Sequence, residues 1–362
     1  MKYPYFITQF FLFAFLINLA NTFYFSKKEE ITQRSLTTNS LTKVHDNFYM
    51  VNYENDYYFE DLLKQGSKNY DDLLKYAKSR FGTLYDFNIL SSPSFSCSCF
   101  NVFNSENQNL MGRNFDNPYS PSFIVWTKPK NKYKSVSFVL GYYLGMRNNN
   151  DLVKSRLLFL PYAPLDGLNE HGFGISVLVA QQSYSNHQTN PNKLDLSTTL
   201  MMRGALDNCK TTEEAIEFFD KYNMHDINEG ISYHFFLTDN IGDSAVIEYV
   251  NGEMKVIRNK ENNYNDYLYV TNFYLSKEIG QGNNMGYDRY QILEGKLKSG
   301  DIIMEWDEAM NLLNSVHLSS TVWSNVYNTQ DLTLFTSYHQ EYSTLFKFSV
   351  LNPMNYTIVT DN

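Results

Sequence analysis

The chain has 362 residues, enough to bury a sizeable core in one large domain or one domain plus an arm. It carries a formal charge of −9 with Lys and Arg scattered rather than gathered in a basic stripe, which argues against nucleic acid as a partner. Its three cysteines, Cys97, Cys99 and Cys209, do not make a disulfide framework, and no Cys or His partners stand at zinc-ligand spacings, so neither a metal nor a cofactor is expected.

The amino terminus reads as a signal peptide over residues 1–22. Lys2 precedes an apolar run from Phe10 to Ile17, and small Ala20 and Thr22 follow at cleavage positions. The run is short for a bilayer span, so a membrane anchor is the alternative. A secretory or endolysosomal route follows, and the sequon Asn355-Tyr356-Thr357 agrees with it. Residues 23–43 are polar and aperiodic, a linker. Phe48 to Tyr53 alternates as a strand does. Phe59 to Phe81 has helical spacing, with Leu62, Leu63, Tyr70, Leu73, Leu74 and Tyr76 recurring between charges. Ser91-Ser92-Pro93-Ser94 breaks the pattern. Residues 23–96 therefore form an amino-terminal arm, and 97–362 the main domain.

The main domain opens on a predicted hairpin. An apolar run led by Cys97 turns at Asn104–Asn109 and returns through Gly112-Arg113-Asn114-Phe115-Asp116. The hairpin brings a thiol, a guanidinium and a carboxylate close together, and a thiol beside a fixed cation is expected to have a lowered pKa. Phe123–Thr127 and Ser135–Leu140 read as strands. Asp166–Gly172 reads as a turn, and Phe173–Ala180 as a buried strand. Gln181–Leu194 is a polar loop. Two helices follow, Ser197–Asp207 and one opening on the capping box Thr211-Thr212-Glu213-Glu214. Strands are predicted at Ile231–Thr238, Ser244–Val250, Glu253–Ile257 and Leu268–Phe273, with Asn251-Gly252 a hairpin signal. Helices at Tyr287–Leu297 and Met304–Val316 precede strands at Val322–Tyr327, Leu332–Tyr338 and Leu345–Val350. Strands, a helical pair, strands, a helical pair and strands do not make a doubly wound sheet. Two antiparallel sheets face to face, with helices outside, satisfy the burial pattern of this α+β chain.

Cys97-Ser98-x-Phe100 with Gly112-Arg113-Asn114-Phe115-Asp116 resembles the linear amide C–N hydrolases of the N-terminal-nucleophile (Ntn) superfamily. That group includes choloylglycine hydrolases, penicillin acyltransferases and acid ceramidase-like amidases. Gly167-Leu168-Asn169-Glu170-His171-Gly172, Val270-Thr271-Asn272-Phe273, Asp288-Arg289-Tyr290 and Trp323-Ser324-x-Val326-Tyr327-Asn328 continue the resemblance in order. It implies a four-layer αββα sandwich, the Ntn-hydrolase fold, and a cysteine hydrolase of non-peptide N-acyl amides working through an acyl-thioester on Cys97.

The resemblance also assigns roles. Cys97 is the nucleophile, Arg113 stabilises its thiolate, Asp116 orients the α-amine, Asn272 donates to the oxyanion and Arg289 braces the site. By count, the second oxyanion contact falls at Val179, where only the backbone N–H can serve, a departure from strict bile-salt hydrolases. Cys99 shares a strand face with Cys97 and is the rival nucleophile. A free α-amine on Cys97 requires cleavage of the Ser96–Cys97 bond. The acyltransferase and acid ceramidase branches imply autocatalysis with the arm kept as a light chain, and another protease is the alternative. The substrate expected is a small N-acyl amide. Phe123, Trp126, Tyr142 and Tyr143 could line an acyl pocket, although strand packing is the simpler expectation. Acyl transfer to an amine by the same thioester, and a non-catalytic lipid- or peptide-binding protein of the same fold, are the competing functions.

Overall fold

A computed structural model describes residues 41–54, 56–81, 96–149, 152, 154–180, 188–226, 231–258, 267–276, 285–298 and 303–360. The expected signal peptide, most of the linker, the break at 91–94 and the first half of the loop after Ala180 lie outside the described residues.

Two large sheets form the centre. The first has nine strands, in spatial order β1 (Thr42–His45), β2 (Phe48–Tyr53), β5 (Ser122–Thr127), β6 (Ser135–Leu140), β7 (Asp166–Asn169), β8 (Gly174–Ala180), β11 (Ser232–Thr238), β12 (Ser244–Val250) and β13 (Glu253–Arg258). The second has seven, β14 (Tyr269–Val270), β3 (Ser96–Phe103), β4 (Asn109–Asp116), β15 (Thr321–Asn328), β16 (Thr333–Tyr338), β17 (Thr344–Ser349) and β18 (Tyr356–Thr360). A small parallel pair, β9 (Leu194–Ser197) and β10 (Tyr222–His225), stands apart. Helices α3 (Thr198–Asn208) and α4 (Thr212–Asp220) cover the nine-stranded sheet, and α5 (Tyr287–Leu297) and α6 (Trp306–Ser315) cover the seven-stranded one. The architecture is the expected four-layer αββα sandwich.

Strand alternation divides the core. In the β3–β4 hairpin, Cys97, Cys99, Met111 and Phe115 join the large cluster between the sheets. Phe100, Val102 and Leu110 join a second cluster with Leu293, Leu297, Ala309 and Leu313 of α5 and α6. Gly112 is needed here, because a Cβ would stand 2.3 Å from Cζ of Phe100.

The arm is built into this frame. The strand β2 runs parallel to β5, whereas the other described pairings in both large sheets are antiparallel, and its Phe48, Val51 and Tyr53 are fully buried. Tyr57 donates its hydroxyl to Asp207 on α3 at 2.6 Å. Arg203 bonds the same carboxylate at 3.0 Å and reaches Thr127 and Ser135 on the sheet. The helical stretch 59–81 divides into α1 (Phe59–Gln65) and α2 (Tyr70–Phe81). Gly66 takes a positive φ of 76°, and Ser67 forms a bridge to Leu196 of β9. Backbone pairing with β9 replaces the helical bonds there.

Other differences are instructive. Asp166–Asn169 is strand β7 rather than turn, with the turn confined to the three residues after it. The Leu268–Phe273 run is strand only at Tyr269–Val270; beyond it the chain leaves β3 as a loop. Strands β9, β10 and β18 were not anticipated, and Thr42 and Lys43 belong to β1 rather than to the linker. Thr211 caps α4 by accepting from Glu214 N–H at 3.1 Å, but the Glu214 carboxylate returns to Lys210 N–H instead of Thr211.

Candidate active site

Ser96 and Cys97 begin β3, at the end of the hairpin ladder, where Ser96 pairs with Asp116, Cys97 with Phe115 and Cys99 with Arg113. Arg113 therefore points between the sheets on the thiol side. Asp116, three residues on, falls on the opposite face with Ser98, toward α5. Two groups of side chains thus meet at Cys97, one around its thiol and one around its backbone.

The backbone group is closely bonded. Cys97 N–H donates to Oδ1 of Asn272 at 2.6 Å, and the Cys97 carbonyl accepts from Nη1 of Arg289 at 2.7 Å. Arg289 also donates to Ser98 Oγ at 2.9 Å and to Asn272 Oδ1 at 2.8 Å. Its guanidinium lies 3.6 Å from Oδ2 of Asp116. The other carboxylate oxygen accepts from the Thr321 hydroxyl at 2.5 Å, while Oδ2 has no hydrogen-bond partner among the described residues. Burial raises the Asp116 carboxyl to about 6, against the pull of Arg289 and Thr321.

Asn272 Nδ2 donates to the Val179 carbonyl at 2.8 Å. In β8, Val177 N–H bonds the Leu165 carbonyl. In an extended strand, residues two apart direct their backbone groups to one edge, so Val179 N–H points the same way. Pairing of β7 with β8 runs only from Leu168–Gly174 to Asp166–Ser176, so that N–H stands beyond the ladder beside the Asn272 amide.

On the thiol side, Arg113 is fully buried. One terminal nitrogen donates to the Val177 carbonyl at 2.6 Å, and Nε lies 3.7 Å from Asp166. Neither Nε nor Nη1 has an oxygen or nitrogen hydrogen-bond partner among the described residues, and the guanidinium acts directly on the Cys97 thiol. Burial dominates the Cys97 thiol and pushes its pKa up, with Arg113 opposing as the next largest influence. This corrects the expectation of a lowered thiol pKa: the cation is in place, but removal from water outweighs it in the uncleaved chain. Cys99 is pushed up to about 12 by burial.

Cys97, Arg113, Asp116, Asn272, Arg289 and the Val179 backbone, distant in sequence, are thus brought to one place. Asp166 was missed, having been read as a turn residue. It is fully buried and accepts from Trp323 Nε1 and Asn325 Nδ2, each at 2.9 Å, and from the Tyr327 hydroxyl. The Trp323–Asn328 motif was the available signal, since it supplies all three donors. A small apolar cavity of about 40 Å³ is lined by Val177, Tyr143, Phe159, Tyr162, Tyr233 and, from the arm, Tyr70 and Leu73. Of the four aromatic candidates only Tyr143 lines it. Phe123 stacks on Tyr49, and Trp126 bonds the Ser349 carbonyl.

Comparison with known proteins bears on the family and the fold. The family described as linear amide C–N hydrolases, choloylglycine hydrolase family, matches residues 97–283, just over half of the chain and beginning at Cys97. Over 103 residues the chain is 30% identical to penicillin V acylase of Pectobacterium atrosepticum, a match spanning 26% of this chain and 27% of that enzyme. Two solved structures of variants of the conjugated bile acid hydrolase of Clostridium perfringens superpose with TM-scores of 0.52 and 0.51. Each covers 74% of this chain and 97% of its own, at 15% and 16% identity, a likeness of fold.

Proposed function

Since the chain belongs to the linear amide C–N hydrolases of the choloylglycine hydrolase family, we propose that it hydrolyses N-acyl amides through a thioester on Cys97. The observation that carries this reading is the bond from Cys97 N–H to Asn272 Oδ1, with Arg289 linking that amide to the buried Asp116 carboxylate, whose Oδ2 makes no hydrogen bond among the described residues. An amide N–H needs one acceptor; a freed α-ammonium needs more, and the Asp116 carboxylate is assigned as the further acceptor.

Cleavage comes first. The Cys97 thiol attacks the Ser96 carbonyl carbon, the Ser96–Cys97 C–N bond breaks, and the nitrogen takes the proton. Water then hydrolyses the resulting thioester, leaving a carboxylate on Ser96 and a free amine on Cys97. In turnover that amine takes the thiol proton, and the thiolate, facing Arg113, attacks the substrate carbonyl. The second N–H of the Asn272 amide and the Val179 N–H serve the oxyanion. The proton passes to the leaving amine, and water, deprotonated by the α-amine, releases the acid. The buried strand β2 and Tyr57 support retention of the arm as a light chain. The apolar run at residues 10–17 supports a secretory or endolysosomal route. Transfer to an amine would draw on the same thioester, and the partition between water and added amine measures it.

The test uses paired variants. Cys97→Ala is expected to abolish both cleavage and amidase activity, whereas Cys99→Ala keeps substantial activity. An inactive Cys99→Ala beside an active Cys97→Ala would reverse the assignment, and activity in Cys97→Ala alone would sink the mechanism.

A further inference from the structure

The loop that carries Asn272 lacks a ladder of its own. After the two residues of β14, its backbone groups are held by side chains from the other sheet. His234 on β11 and Glu248 on β12 are both fully buried and lie 3.3 Å apart, Nδ1 to Oε1. Nε2 of His234 donates to the Thr271 carbonyl at 2.8 Å. Glu248 accepts from Leu275 N–H at 2.7 Å, from Ser276 N–H at 2.9 Å and from the Ser276 hydroxyl at 2.5 Å. The pair therefore grips the chain on both sides of Asn272.

The chemistry of the ring is also specified. A carbonyl has no proton to give, and a carboxylate already receiving three donors is an acceptor. Both ring nitrogens face acceptors, so the ring is held from two sides. A polar pair buried on two interior strands has a desolvation cost that apolar side chains would avoid, so it is a poor choice if only packing is wanted.

We propose that His234 and Glu248 are a positioning pair that fixes Asn272 against Cys97 N and Val179. The inference rests on the reading of Cys97 as nucleophile. Neither residue touches the reacting atoms; both act through the backbone at Thr271, Leu275 and Ser276. Displacing Asn272 would weaken its hold on the Cys97 amine and move its amide from the oxyanion.

The experiment compares His234→Phe, His234→Gln, Asn272→Ala, the His234→Phe/Asn272→Ala double variant and Cys97→Ala in the full chain. The probes are p-nitroanilides of straight-chain and phenoxyacetyl acids, together with intact mass to follow cleavage at Ser96–Cys97. His234→Phe is expected to lower kcat and the cleavage rate about 100-fold with KM changed less than about twofold, the cost of a small misplacement of a reacting group. The double variant should be no slower than Asn272→Ala, because groups acting through one another are not additive. His234→Gln, whose amide can still donate to Thr271, should recover at least part of the rate. Three results overturn the proposal: an unchanged kcat and cleavage rate in His234→Phe, losses that multiply in the double variant, or a loss in His234→Phe and His234→Gln matched by the fall in folded protein. Activity in Cys97→Ala overturns the nucleophile reading instead. An inactive Cys97→Ala with an unaffected His234→Phe removes only the positioning role.

Discussion

Arg113 is the cation on the thiol side of the site, and it answers to two partners. It opposes the burial that raises the Cys97 thiol, and it is the counter-ion 3.7 Å from the buried Asp166 carboxylate. Arg113→Met should therefore move the pH profile of Cys97 alkylation to higher pH, since burial would act unopposed. It should also cost about 3–5 kcal/mol in urea unfolding, because Asp166 is left buried and unpaired. An unshifted alkylation profile would remove Arg113 from the thiolate's environment. Cys97, Arg113 and Asp116 were legible in the sequence because a hairpin joins them within 20 residues. Which face each occupies was not: Asp116 pairs with Ser96 and meets α5, while Arg113 faces the opposite sheet. Asp166 was hidden because its donors lie 157 to 161 residues away. No local period records a partner at that distance.

At the scale of elements, α5 delivers Arg289 through its first turn, and Gly286 sets the approach. Gly286 has a φ of 80°, accepts from Thr271 Oγ1 at 3.0 Å, and would place a Cβ 2.5 Å from Nη2 of Arg289. Gly286→Ala is expected to lose about 1 kcal/mol or more from backbone strain. It should also slow Ser96–Cys97 cleavage by displacing the guanidinium, to be read by thermal melting and intact mass. A lower melting temperature with normal cleavage would mean that the helix end matters only for folding. Regular strands such as β5, β6, β12 and β16 were legible as short runs rich in β-branched and aromatic residues between turn signals, and both of their faces are buried. Element ends were read less well where tertiary contacts intervene. The apolar run Leu268–Phe273 reads as one strand, yet its pairing with β3 stops at Val270, and His234 takes the Thr271 carbonyl in place of a ladder bond. Stretch 59–81 looks like one helix, yet Ser67 pairs with β9.

The whole molecule buries carboxyl groups at a cost that depends on pH. Burial raises Asp116 and Asp207 to about 6 and Asp226 to about 7, from the usual 3.8, and also raises Asp166 and Asp239. In each case the folded state holds its proton more tightly than the unfolded chain. The stabilisation is present below the unfolded pKa near 4 and is lost as pH rises through 6 to 7. His339, lowered by burial, works the other way. Stability should therefore fall between pH 4.5 and pH 7.5, as measured by thermal melting, and a rise over that range would contradict the balance drawn here. The sandwich itself was legible, because the order of strand runs and helical pairs allows few layerings. The depth to which the arm enters it was not, since the parallel pairing of β2 with β5 leaves no mark in either strand. The central claim concerns one bond in this assembly. Intact mass under denaturing conditions, paired with size exclusion under native ones, tests it most directly. The account predicts two chains parting between Ser96 and Cys97 in the active protein, eluting together until denatured. A fully active protein whose Ser96–Cys97 bond is intact would contradict it.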